Sequence, residues 1–195
     1  MTTKSELSRT EQPLVSDQSV SADSLSPDEL RAAFRNHAAG VALVTADPGD
    51  GPVAMTATSV FSVSATPPLF VFSASQLSSA TSAIERAESV VVHLLGANQL
   101  HLAKLGATPG IDRFADTSLW DRLPTGEPYF PAAPSWIRGT ITNLYAAGGS
   151  SLVVVHATHS QHPPVDSTDA SAEAVHPLVY HNRTWHRLGE HSALA

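Results

Sequence analysis

Apolar positions first fall into a helical rhythm just after residue 26. Leu30, Ala33, Phe34 and Ala38 recur at three- and four-residue steps, the spacing of one helix face. Ser26, Pro27 and Glu29 precede them as N-cap, first-turn proline and closing member of a capping box, and Gly40 is expected to end the helix. The rhythm then becomes that of strands. Val41 to Ala46 reads as a strand, followed by a turn through Asp47-Pro48-Gly49-Asp50-Gly51. From Val53 to Ser64, small and hydroxylated residues alternate with apolar ones, which predicts one strand with a core face and a face offering hydroxyls. Thr66-Pro67-Pro68 breaks it, and Leu69 to Ser73 predicts a buried strand.

A serine-rich loop, Ser73 to Ser79, leads into a short helix at about Thr81 to Ala87. A strand from Val90 to Leu95 and a helix from Ala97 to Leu105 follow, then a long loop from Gly106 to about Pro134. Trp136 to Tyr145 and Ser151 to His159 form a hairpin pattern across Gly148-Gly149, and Ser160 to Val175 has no pattern and reads as a mobile excursion. Pro177 to His181 and Thr184 to Leu188 flank a turn at Asn182-Arg183. With six or seven strands and three helices, the pattern is mainly β with α: a small barrel with peripheral helices. Residues 1–25 are polar and aperiodic, and are expected to be a disordered leader; the domain spans 26–190.

Composition removes several classes of function. Acidic residues outnumber Lys and Arg 18 to 11, for a net charge of −7, which argues against a nucleic-acid partner. No apolar run is long enough to cross a membrane, and the start lacks the apolar core of a secretory signal, so a cytoplasmic location is expected. The absence of cysteine excludes disulfides, thiolate catalysis and cysteine-ligated metals.

Two patterns offer binding chemistry. Thr56, Thr58, Ser59, Ser62 and Ser64 suit a neutral heterocycle, because hydroxyl hydrogen bonds are directional and desolvate no charge; a solvated sheet face is the plainer reading. The loop from Ser73 through Ser78 and Ser79 to Thr81 enters a helix, an arrangement suited to phosphate. With only Lys4 and Lys104 as lysines, an anion clamp falls to arginine, and Arg113 in Asp112-Arg113-Phe114 is the candidate, against a surface ion pair as the alternative. His93 in the apolar run Val90 to Leu94 is either a bonded core imidazole or a pocket residue. His156, His159 and His162 share a spacing but not a common element, so no metal site is assigned; no nucleophile elbow or Gly-rich nucleotide loop occurs, and no catalytic side chain is assigned.

These segments, in this order, resemble the flavin reductase-like family of the FMN-binding split-barrel fold. The marks are Phe34-Arg35 with Gly40 to Thr45, Met55 to Ser64, Pro67-Pro68-Leu69, Ser79-Ala80-Thr81, Asn98-Gln99 with Leu102-Ala103, Asp112-Arg113-Phe114, and Pro177 to His181 with Trp185. The resemblance implies a split β-barrel homodimer that binds FMN or FAD and takes hydride from NADH or NADPH. It implies a ring site at Thr56, Ala57, Thr58 and Ser59 and a phosphate site at Ser73, Ser78, Ser79 and Thr81, with His93 and Arg113 as further cofactor contacts. A partner monooxygenase that receives the reduced flavin is also implied. Two positions depart from the family: Gly148-Gly149-Ser150 stands where many members have Gly-Asp-His, and His93 stands where Asn is common. A flavin-binding module without efficient turnover is therefore the alternative function.

Overall fold

The computed structural model describes the main chain of residues 11–13 and all of residues 24–163 and 176–194. The elements in order are β1 (Glu11–Pro13), α1 (Pro27–Phe34), β2 (Ala39–Gly40), β3 (Ala42–Ala46), β4 (Val53–Ala57), β5 (Phe61–Ala65), β6 (Pro68–Ser75), α2 (Thr81–Arg86), β7 (Ser89–Leu94), α3 (Leu100–Ala107), β8 (Asp121–Arg122), β9 (Pro128–Tyr129), β10 (Ser135–Ala147), β11 (Ser150–Gln161), β12 (Leu178–His181) and β13 (Thr184–Arg187). A 3-10 turn, Ala97–Gln99, leads into α3, and another, Glu190–Ser192, follows β13. The mainly β architecture with peripheral helices is as expected.

The main sheet runs β4-β3-β7-β10-β11-β6-β5, with β1 lying parallel to β10. Its two edge strands, β4 and β5, are consecutive in sequence and joined only by residues 58–60. Three residues bridge little more than about 10 Å, so the sheet has to curl enough to bring the end of β4 near the start of β5. Inside the curl lies one core of Val44, Met55, Phe72, Ile84, Val90, Val92, Val153 and Val155. Outside it, Leu43, Leu95, Leu102, Phe114, Phe130 and Leu178 form a second core beneath α3 and the 106–134 segment. Because β3 divides these two cores, all five of its residues are buried.

Five local expectations change. The 53–64 segment is two strands on opposite edges, not one. At the break, the Ser59 hydroxyl donates to the Ser73 carbonyl at 3.2 Å and accepts the Ser73 N–H at 3.0 Å, extending the β6 ladder where β5 has yet to begin. The helix predicted to run to Gly40 stops at Phe34, and Gly40 pairs in β2 with Val179. Within the expected disordered leader, residues 11–13 pair with Leu144 to Ala146, filling a β10 edge that β7 leaves open beyond Thr140. The long loop contains the small β8–β9 pair, which the Thr45 hydroxyl anchors to β3 through the Pro128 carbonyl at 2.5 Å. The expected excursion over 160–175 begins later than read, since Ser160 and Gln161 end β11 opposite Ile137 and Trp136; its residues 164–175 and the rest of the leader, 1–10 and 14–23, lie outside the described residues.

The capping box forms as read: Glu29 N–H donates to Ser26 Oγ at 3.3 Å and Ser26 N–H to Glu29 Oε2 at 2.8 Å. Yet α1 buries none of its residues, and Phe34 is 62% exposed. The β10–β11 hairpin turns through Gly148-Gly149, with Gly148 at φ 58°, a conformation that glycine adopts without steric cost.

Candidate functional site

The serine loop is preformed by its own side chains. Ser75 Oγ accepts the Leu77 N–H at 3.3 Å and Ser78 Oγ accepts the Ala80 N–H at 3.3 Å, two successive hydroxyl turns. The buried Thr81 hydroxyl donates to the Ser75 carbonyl at 2.6 Å, closing the loop. Thr81 and Ser78 therefore shape the loop rather than reach out of it. At the loop's exit, Ser79 is exposed and shares a cavity of about 190 Å³ with Pro52, Val53, Ile111, Asp112, Arg113 and Phe114.

Arg113 reaches that cavity from the 106–134 segment. Its Nε donates to the Gly106 carbonyl at 3.2 Å and its Nη2 to the Thr108 carbonyl at 2.9 Å, which fixes the guanidinium. Nη1 bonds no described residue, and no described carboxylate pairs with this arginine. Asp112 also lines the cavity, but one of its oxygens accepts the Phe114 N–H at 2.9 Å. The expected phosphate residues Ser79 and Arg113, 34 positions apart, thus line one cavity.

A larger cavity, about 670 Å³, opens at the β4–β5 connection. Thr58, Ser59 and Phe61 line one side, and α1 and the β12–β13 turn supply the others. Thr58 is exposed there, and its hydroxyl bonds no described residue. Ser59 lines the same cavity, although its hydroxyl is engaged by Ser73. The remaining ring-site candidates point elsewhere. The Thr56 hydroxyl donates to the Ala103 carbonyl at 2.7 Å, tying β4 to α3, and Ala57 is buried in the inner core. Ser73 contributes its main-chain groups to Ser59.

His93 requires correction as a pocket residue. It is fully buried on the outer face of β7, its Nδ1–H donating to the Leu43 carbonyl at 2.9 Å while Nε2 accepts the Phe130 N–H at 3.0 Å. Those partners dictate the neutral tautomer, and burial pushes its pKa down to about 4 despite the Leu43 bond. With both ring nitrogens used inside the core, this imidazole has no free atom to offer a ligand.

The larger cavity also contains residues that sequence reasoning did not single out as a site: Arg31, Arg35, His37, His181, Asn182 and Arg183. They come from α1 and the terminal hairpin, more than 140 residues apart, and the Asn182 N–H joins the two elements through the Arg35 carbonyl at 3.1 Å. The visible signals were the Asn182-Arg183 turn and the Arg31/Arg35 spacing of one helical turn. Among the described residues, no three His, Asp or Glu side chains converge as metal ligands, and no helix is long and apolar enough to cross a membrane.

The flavin reductase-like domain profile matches residues 34–189. The chain belongs to that family. It is 45% identical over 159 residues to the NADH:FMN oxidoreductase of Rhodococcus qingshengii, covering 82% of this chain and 80% of that one. Among solved structures, a flavin reductase domain protein from Arthrobacter sp. FB24 superposes with a TM-score of 0.74 at 31% identity, covering 83% of this chain and 95% of that one. The flavin reductase component of a bacterial two-component tryptophan halogenase superposes with a TM-score of 0.72 at 29% identity, covering 85% and 99%. The chain is accordingly an oxidoreductase of the flavin reductase type, and the family resemblance and mainly β fold read from its segments hold.

Proposed function

We propose that the protein transfers hydride from NADH or NADPH to FMN or FAD, the flavin ring lying at Thr58 and Ser59 and its phosphate at Ser79 and Arg113. The observation that carries the site assignment is the convergence of Ser79 with the anchored Arg113, whose Nη1 is unclaimed by any described residue. A guanidinium and a hydroxyl suit a phosphate, and an unclaimed threonine hydroxyl suits the carbonyls and ring nitrogens of a neutral heterocycle. Flavin, when bound, supplies the hydride-accepting chemistry. The chain's own task is then to hold two planar rings in register and exclude water, which needs no acid–base pair. The missing catalytic dyad fits that task.

Two further features extend the reading. Phe61 and Val63 on the edge strand β5 are 57% and 54% exposed, and Leu94, Leu30 and Phe34 add to the uncovered apolar surface. Such surface supports a homodimer. The solved halogenase component supports delivery of reduced flavin to a partner oxygenase in this protein as well. The alternative, a module that holds flavin without turnover, rests on Ser150 at the place of the family's histidine.

Arg113→Gln separates phosphate recognition from ring recognition. A charge-assisted hydrogen bond contributes roughly 1.5–3 kcal/mol, so the Kd for FMN is expected to rise by about 10- to 100-fold. Riboflavin, which lacks the phosphate, should bind wild type and variant alike by fluorescence titration. Equal weakening of both ligands would refute the assignment of Arg113 to the phosphate.

A further inference from the structure

Pairing divides the arginines of this chain sharply. Arg31, Arg86, Arg122 and Arg138 hold Asp28, Asp50, Asp47 and Glu127 at 2.6–2.7 Å. A polar cavity of about 540 Å³ near β4 and β8, lined by Arg86, Arg122 and Arg138, is thereby neutralised from within. The 670 Å³ cavity beside Thr58 differs. Arg35 and Arg183 line it, neither side chain bonds a described carboxylate, and no Asp or Glu lines it at all. His37 and His181 add two imidazoles to the same wall. A local excess of positive charge stands out in a chain of net charge −7.

Structural roles account for these arginines poorly. Arg35 caps α1, where the helix dipole favours a cation, but Arg183 belongs to another element. Asn182 and Arg183 both have positive φ, 47° and 62°, so the hairpin closes in a primed turn that favours glycine in its second place. Arginine there is locally unfavourable, and its side chain lines the cavity instead. The Asn182 N–H to Arg35 carbonyl bond places the two arginines on either side of one contact between α1 and the turn.

We propose that Arg35 and Arg183 form an anion clamp for the pyrophosphate of the nicotinamide dinucleotide, seated in the cavity that Thr58 and Ser59 also line. This rests on the flavin-reductase reading above. The clamp holds the donor by its phosphates, so that docking does not depend on a histidine at position 150.

The test uses FMN-saturated full-length protein and ADP-ribose, which carries the pyrophosphate but no nicotinamide and cannot react. Calorimetry should show ADP-ribose binding to wild type, about 10-fold weaker in Arg183→Gly and about 100-fold weaker with Arg35→Gln added. The glycine relieves the turn, so the hairpin should remain folded, and Arg35→Gln alone gives an independent variant. The KM for NADH should rise in parallel, whereas the KM for reduced nicotinamide mononucleotide, which lacks the pyrophosphate, stays unchanged. Unchanged ADP-ribose affinity in both single variants, or equal KM shifts for both donors, overturns the clamp. A wild-type protein that oxidises no NADH with flavin present would instead defeat the parent reading.

Discussion

Glu127→Ala is expected to lower folding stability by about 3 kcal/mol, the lower end of the cost of stranding one member of a buried pair, because the Arg138 left behind is partly exposed. Glu127 is 6% exposed, and its Oε1 receives Arg138 Nη2 at 2.6 Å and Arg138 Nε at 2.9 Å. Ser89 donates to the same oxygen and Thr125 to the other. Burial alone raises the carboxyl's pKa, but the bonds from Arg138, Ser89 and Thr125 outweigh it and hold the pKa at about 2. The depressed value means that the carboxylate stabilises the fold above its ordinary pKa of 4.5 and loses that contribution as pH falls towards 2. Urea unfolding of wild type and variant at pH 7 measures the first effect. A loss under 1 kcal/mol would mean that water, not Glu127, already satisfies Arg138.

A second acid-labile group acts at milder pH. His93 is neutral in the core, with its pKa lowered from 6.5 to about 4. The unfolded chain therefore binds a proton that the folded chain refuses. Stability from this residue is complete above pH 6.5, falls as pH drops, and levels off below about 4, a total of about 3 kcal/mol at roughly 1.4 kcal/mol per pKa unit. Protonation would set a second N–H against the donating Phe130 N–H, so the cation forms in the core only at the cost of that bond. His93→Gln can still offer a donor and an acceptor, but it does not titrate. Between pH 6.5 and 4.5 the wild type should lose about 2–3 kcal/mol more than this variant by urea unfolding. Parallel pH profiles would show that His93 does not titrate as a buried neutral base.

The same residue shows where local pattern gives out. An imidazole within a valine run predicts burial or a pocket equally well. Its two partners, Leu43 and Phe130, are 50 and 37 positions away, and only the fold brings them to its ring nitrogens. The capping box of α1 and the Gly148-Gly149 hairpin were legible because their determinants lie within a few residues. The break at Thr58 to Val60 was not, because it carries no Gly or Pro and its only mark is a slip of the alternation, with Thr58-Ser59 both hydroxylated and Val60-Phe61 both apolar. What divides that stretch is the curl of the sheet, with Ser59 bonding to a strand that follows later in the chain.

The candidate site divides along the same line. Ser79 and Arg113 could be named from residue type, helix entry and the family resemblance, and they share a cavity. Thr56 and Thr81 had the right chemistry, but their hydroxyls serve Ala103 and Ser75. Hydroxyl direction is set by register and tertiary contact, neither of which a strand pattern specifies. Arg35 and Arg183 were legible as a family mark and a turn residue but not as site residues, because a cation becomes informative only when its neighbours show no carboxylate to neutralise it.

Hydride transfer to flavin is tested directly by one anaerobic mixing experiment. Purified protein with FMN or FAD is combined with NADH or NADPH while the flavin and nicotinamide absorbance bands are followed together. Both bands are expected to bleach in step, with many turnovers per protein, and one pairing to outpace the rest. Flavin that binds but never bleaches above the uncatalysed rate would contradict hydride transfer and leave a flavin-holding module.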